Sequence, residues 1–238
     1  MVIGTARGYN PRMTSLAALV DRLAHVPEVE VPPAPAVQAA LLESVRYLGS
    51  DAAQRSTEIN VYWPKWDSPW WHFLACVELG EARRVPERAA NALLAALKAF
   101  PLQVFPILPE DVPPGCDLSR SLCHCQVASA WQMLSACGVD VDRELPWLGP
   151  WFVRYQMADG GLNCDNDAYL VKGECPSSMV GSVPSLEAML LGELEGAREA
   201  FVDRAAGFLI ERRLTLGSAT QRQGRSADHG QSCASRRR

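Results

Sequence analysis

Three apolar segments of helical period each run into a glycine, at Gly80, Gly138 and Gly192, and this narrows the possible folds more than any other feature. The glycines are 58 and 54 residues apart, and each is followed by a second, amphipathic segment of helical period. A period near 55 residues with two helices per unit specifies stacked helical hairpins, because one hairpin cannot bury its own apolar face and its neighbours must cover it. No run alternates apolar and polar residues long enough to make a strand. The fold class expected is all-α, built of α/α hairpin repeats with inner apolar and outer amphipathic helices.

Taken in order, residues 14–26 place Leu16, Leu19, Val20 and Leu23 at helical spacing, and the prolines that follow break the helix. Helices are expected over 37–48, 69–80, 86–100, 118–137, 145–156, 177–192 and 197–214. Pro69 follows the cap candidates Asp67 and Ser68, a favourable first helical residue. The loop 101–115 holds five prolines and is long for a compact domain, so it is either functional or a wrap-around connection. The expected organisation is an N-terminal helix with a Pro-rich linker (1–34), a repeat domain (35–216) and a disordered basic tail (217–238). That tail leaves the last amphipathic helix without an inner partner; a truncated or frame-altered C-terminus is the expected cause, and a natural cap with a solvated tail is the alternative. The uncovered apolar face predicts self-association.

Charge and cysteine usage set the remaining bounds. The net charge is −4, with five Arg against one Asp in the tail, so the body is acidic and nucleic acid is not expected as a partner. No apolar run reaches 18 residues and no secretory leader is recognisable at the start, so no membrane span is expected, although peripheral membrane contact stays open. The eight Cys are scattered, and reduced thiols in a cytoplasmic protein are the expectation.

The unit Gln156-x-x-Asp159-Gly160-Gly161, followed by Ser177-Ser178 and a helix carrying Leu186 and Ala188, resembles the repeat of squalene/oxidosqualene cyclases and protein prenyltransferase β subunits. Weaker echoes stand at Trp66-Asp67-Ser68-Pro69 and Cys116-Asp117-Leu118-Ser119, and the resemblance spans about residues 35–214. It implies an α/α toroid, complete or partial, whose inner helices line an apolar cavity for an isoprenoid. The acidic Asp-x-Asp-Asp cluster of the squalene–hopene enzymes is missing, so a non-catalytic ligand-binding or scaffold module is the alternative. Gln156, Asp159, Gly160 and Gly161 read as structure: a glutamine at a helix end satisfies orphan backbone groups, and paired glycines permit a positive-φ turn.

Asp165, Asp167, His124 and Glu187 are the candidate acids. Glu187 reads equally as a cavity acid or an ion-paired helix residue. Trp71, His72 and Trp131 are the candidate substrate-binding residues, since aromatic faces stabilise carbocations, whereas the loop tryptophans around them also suit packing of helix ends. The resemblance to prenyltransferases raises zinc, with Cys164, Asp165, His124 and Cys175 as ligands. Cys123-His124-Cys125, read as consecutive helical residues about 100° apart, cannot all meet one ion. Buried cysteines are also ordinary small core residues.

Overall fold

A computed structural model describes residues 34–100, 102–116, 121–171 and 175–212. The expected helix over 14–26 and the basic tail lie outside these residues. From Pro35 onward the described chain forms one unit of ten helices: α1 (Pro35–Leu48), α2 (Asp51–Ile59), α3 (Pro69–Glu78), α4 (Glu87–Lys98), α5 (His124–Ala136), α6 (Val141–Glu144), α7 (Leu148–Tyr155), α8 (Asp167–Leu170), α9 (Met179–Met189) and α10 (Gly196–Glu211). No strand occurs among the described residues, only an isolated bridge between Leu162 and Ser178. No described helix is long and apolar enough to cross a membrane.

Helix α1 lies on α3, α3 on α5 and α5 on α9; α2 lies on α4, which also packs on α5, and α7 lies on α10, which also packs on α9. The all-α class is therefore present. Helix α5 is the hub and buries Val127, Ala128, Ala130, Trp131, Met133 and Leu134. Trp131 and Phe152 of α7 stack with centroids 6.2 Å apart, and Phe152 meets Phe201 of α10 at 6.4 Å. Full burial of each such side chain contributes roughly 1.5–3 kcal/mol. Most residues that α9 buries are small (Gly181, Ser182, Ser185, Ala188), and its most extensive contact is with α5.

Several boundaries differ from the sequence expectation. The second apolar helix begins at His124 and not near 118, because Gln126 Oε1 accepts the Cys123 amide at 2.8 Å and closes a cap there. The helix expected over 145–156 is α7, which starts beyond Pro146 at Leu148, and α6 ends before that span at Glu144. Helix α2 was not anticipated; its polar sequence DAAQRSTEI hides the period, yet Ser50 Oγ caps Ala53 N at 3.1 Å and Ala53 and Thr57 are buried. Gly80 and Gly138 follow their helices at φ 71° and 81°, whereas Gly192 is not left-handed and lies past the end of α9.

The turn after α7 ties four elements together. Gln156 Nε2 donates to Gly160 O at 2.7 Å and to Phe201 O of α10 at 2.8 Å. Asp159 accepts from Ser177 N at 2.9 Å, from the Ser177 hydroxyl and from Arg212 Nη2 at 3.0 Å. A Cβ on Gly160 (φ 95°) would lie 2.3 Å from the Arg204 carbonyl oxygen, and one on Gly161 would lie 2.5 Å from Ser177 Cβ. Gly160→Ala is therefore expected to cost about 2–4 kcal/mol in chemical denaturation, from left-handed strain plus a backbone clash. Gly80→Ala, with open space around the position, should cost only about 1 kcal/mol.

Candidate metal centre

The connection between α7 and α9 carries the first half of the site. Asn163 Oδ1 accepts Asp165 N at 3.0 Å, and Asp165 Oδ1 accepts Asp167 N at 3.0 Å, two successive Asx turns that curl the chain around Cys164. Asn163 Nδ2 reaches Pro176 O at 3.0 Å and Asn166 Nδ2 reaches Ile107 O at 3.2 Å, pinning the curl to both flanking segments. The second half is the start of α5. Cys123 is the extended N-cap residue, with φ −89° and ψ 175°, so its side chain leaves the helical wheel and meets that of Cys125, with sulfurs 3.2 Å apart. The Cys125 amide donates to Cys164 Sγ at 3.4 Å.

Cys123, Cys125 and Cys164 thus bring three sulfurs within 4.8 Å of one another, a group that could hold a metal ion. All three are free thiols. Sulfurs 2.3 Å from one tetrahedral ion stand roughly 3.8 Å apart, so the trio closes on such an ion with small side-chain movements. Hydrogen bonds from the Cys125 and Cys164 thiols hold Cys123 far below the usual thiol range, and the Gln126 amide adds to this. The same hydrogen bonding with Cys123 pushes Cys125 and Cys164 up, and burial pushes both further.

An open cleft of roughly 390 Å³ borders the sulfurs, lined by Phe105, Ile107, Ser121, Leu122, Cys123, Gln126, Cys164, Asp165 and Asn166. Asp165 Oδ2 is buried there without a hydrogen-bond partner. Tyr62 approaches from the other side: its hydroxyl interacts with Gln126, and burial first, then Cys125 and Cys123, raise its pKa.

The residues expected as a site divide accordingly. Cys164 and Asp165 line the cleft. His124 does not face it: Trp151 Nε1 donates to His124 Nδ1 at 2.7 Å, and Nε2 lies 3.2 Å from the Tyr169 hydroxyl, which itself bonds Tyr155 O at 3.1 Å. Both ring nitrogens are taken, and burial lowers the imidazole pKa to about 4, so His124 is neither a ligand nor an acid near neutral pH. Cys175 is disulfide-bonded, which removes it from the ligand set and departs from uniformly reduced thiols. Asp167 opens α8. Glu187 packs against Gln132 of α5, 3.4 Å away, with its pKa raised by burial, and is not among the cleft residues. Trp131 is fully buried beneath Arg198, whose guanidinium lies 4.9 Å from the ring centroid. His72 Nδ1 pairs with Ser44 Oγ at 3.0 Å, and Trp71 packs against Tyr62 and Trp66 at 5.1 and 4.4 Å.

Sequence reasoning passed over Cys123 and Cys125 as ligands because it extended the helix through them. The signal available was Gln126, three residues after Cys123, which marks a helix start. No family model matches the chain, and neither a curated protein nor a solved structure matches it.

The neutral His124 gives a pH signature. With its folded pKa below the unfolded value, the unfolded chain binds more protons between about pH 6.5 and 4, so this contribution to stability is full above pH 6.5 and lost as pH falls toward 4. The loss should be on the order of 2–3 kcal/mol. Thermal unfolding across pH 7 to 4.5 should show this decline, and His124→Gln should flatten it.

Proposed function

We propose that the chain binds a soft divalent metal ion, zinc foremost, through Cys123, Cys125 and Cys164, with a fourth position open to the cleft. The observation that carries the reading is the meeting of three free thiols from two separate segments at one point. Thiolate donors select zinc over the hard cations, and the unpartnered Asp165 oxygen on the same cleft is the nearest group of suitable charge. A bound zinc supplies Lewis-acid polarisation of whatever enters the open position. The protein's part is to seat Cys164 on the first turn of α5 and to keep Phe105, Ile107 and Leu122 around the opening.

An apolar small molecule is the ligand class that those three side chains favour. The resemblance to cyclase and prenyltransferase repeats makes an isoprenoid the second reading, with an α/α toroid as the architecture that this resemblance implies. No Lys or Arg is among the described cleft residues, which favours an uncharged isoprenoid over a pyrophosphate. Glu187 is not among the described cleft residues, where Asp165 is the single carboxylate, and binding without turnover is the form of this reading we favour.

Protein purified without chelator is expected to carry close to one zinc per chain by elemental analysis. Cys164→Ser should weaken the site on the order of 100-fold, one ligand's share of a site worth about 10–16 kcal/mol. Cys137→Ser, a half-buried thiol at the far end of α5, should leave it intact. Affinity should rise with pH through the neutral range, because Cys125 and Cys164 must each release a proton to bind. A metal content near zero, or equal loss with Cys137→Ser, overturns the assignment. A thermal shift with a prenyl alcohol and none with its pyrophosphate is the expected ligand result.

A further inference from the structure

The cleft has a second capacity that needs no metal. Cys123 and Cys164 line it, whereas Cys125 does not and stands behind Cys123 with sulfurs 3.2 Å apart. An S–S bond is about 2.05 Å long, so the two sulfurs must close by only ~1.2 Å to be bonded. Around the mouth the polar groups among the described lining residues are Ser121, Gln126, Asn166 and Asp165, none of them cationic, and the Asp165 Oδ2 atom is buried and unpartnered. The geometry points to a thiol–disulfide exchange site at Cys123–Cys125 that takes small aliphatic disulfides carrying an ammonium group.

Atoms and electrons balance as follows. The Cys123 sulfur, as thiolate, attacks one sulfur of the incoming disulfide; that S–S bond breaks, one small thiolate leaves and takes a proton from water, and a mixed disulfide remains on Cys123. Cys125 then attacks the Cys123 sulfur and its proton passes to the departing group. The mixed disulfide breaks, the second small thiol leaves, and Cys123 and Cys125 are joined. Two protein thiols are oxidised by two electrons and the external disulfide is reduced to two thiols. Apolar walls at Phe105, Ile107 and Leu122 admit an aliphatic chain, and the buried carboxylate of Asp165 draws the ammonium group in.

The test uses the whole metal-free chain with cystamine, and oxidised glutathione as the anionic counterpart. Rates are normalised to those of the same two reagents with N-acetylcysteine, which removes their intrinsic difference. Cystamine is expected to react about tenfold faster than oxidised glutathione after normalisation, the lower end of electrostatic enrichment in a charged cleft, and Asp165→Asn should abolish the preference. Mass spectrometry should find a Cys123–Cys125 link and no retained adduct in the natural chain, while Cys125→Ser should stop at one adduct on Cys123. A persistent adduct in the natural chain, an adduct on Cys164 or Cys137, or no preference for cystamine overturns the inference. The natural-chain mapping decides even where a variant fails to fold. Saturating zinc should slow the reaction; an unchanged rate would remove the metal assignment and leave the exchange standing.

Discussion

One buried imidazole holds the working part of this molecule in register. His124 is the first residue of α5, and it receives the indole N–H of Trp151 on one side and meets the Tyr169 hydroxyl on the other, with Tyr169 bonded in turn to the Tyr155 carbonyl. Phe105 packs on the imidazole at 4.5 Å and donates its amide to the Tyr155 hydroxyl at 2.6 Å. Three separate stretches (the loop around 105, the start of α5 and the connection before α9) are thereby fixed against α7. The cleft lies where those three stretches meet. A buried polar network of this kind is costly when incomplete and specifying when complete, and here every polar atom of the imidazole has a partner.

From that anchor the cysteine arrangement follows. The imidazole must enter the core at helix position one, so the residue before it sits at the N-cap and the residue after it in the first turn. An extended N-cap turns Cys123 toward Cys125 and away from the buried side that His124 occupies. Cys164 is delivered by a curl whose own side chains, Asn163 and Asp165, bond its backbone. Alternation of roles along Cys123, His124 and Cys125 is thus a consequence of where the helix starts.

The all-α class was legible because it rests on patterns that survive in any context. Leu and Ala at helical spacing marked α4 and α10, apolar runs marked α3 and α5, and Gly80 and Gly138 marked helix ends. The Asp159-Gly160-Gly161 turn was legible as a joint for the same reason, since chain geometry demands glycine there. Less legible was anything that depends on a single boundary. Placing the start of α5 near 118 turned Cys123, His124 and Cys125 into neighbours on a wheel and hid the meeting of two of them. Helix α2 escaped notice because its nine residues hold only a few apolar ones and its stability comes from the Ser50 cap and from packing on α4. Cys164 and Asp165 could be named from chemistry alone, but their partners required the fold.

The bonds from Gln156 to Phe201 O and from Asp159 to Arg212 have a further meaning for how the molecule comes apart. Both join the turn after α7 to the final described helix, so α10 acts as a splint on the segment that carries Cys164. A local opening that lifts α10 from α7 lies at a free energy below that of global unfolding. Such an opening releases Gln156 and Asp159 together and slackens the curl at residues 163–167. The cleft is thus tied to the seating of a helix that supplies none of its described lining, and hydrogen exchange along α10 reports on it.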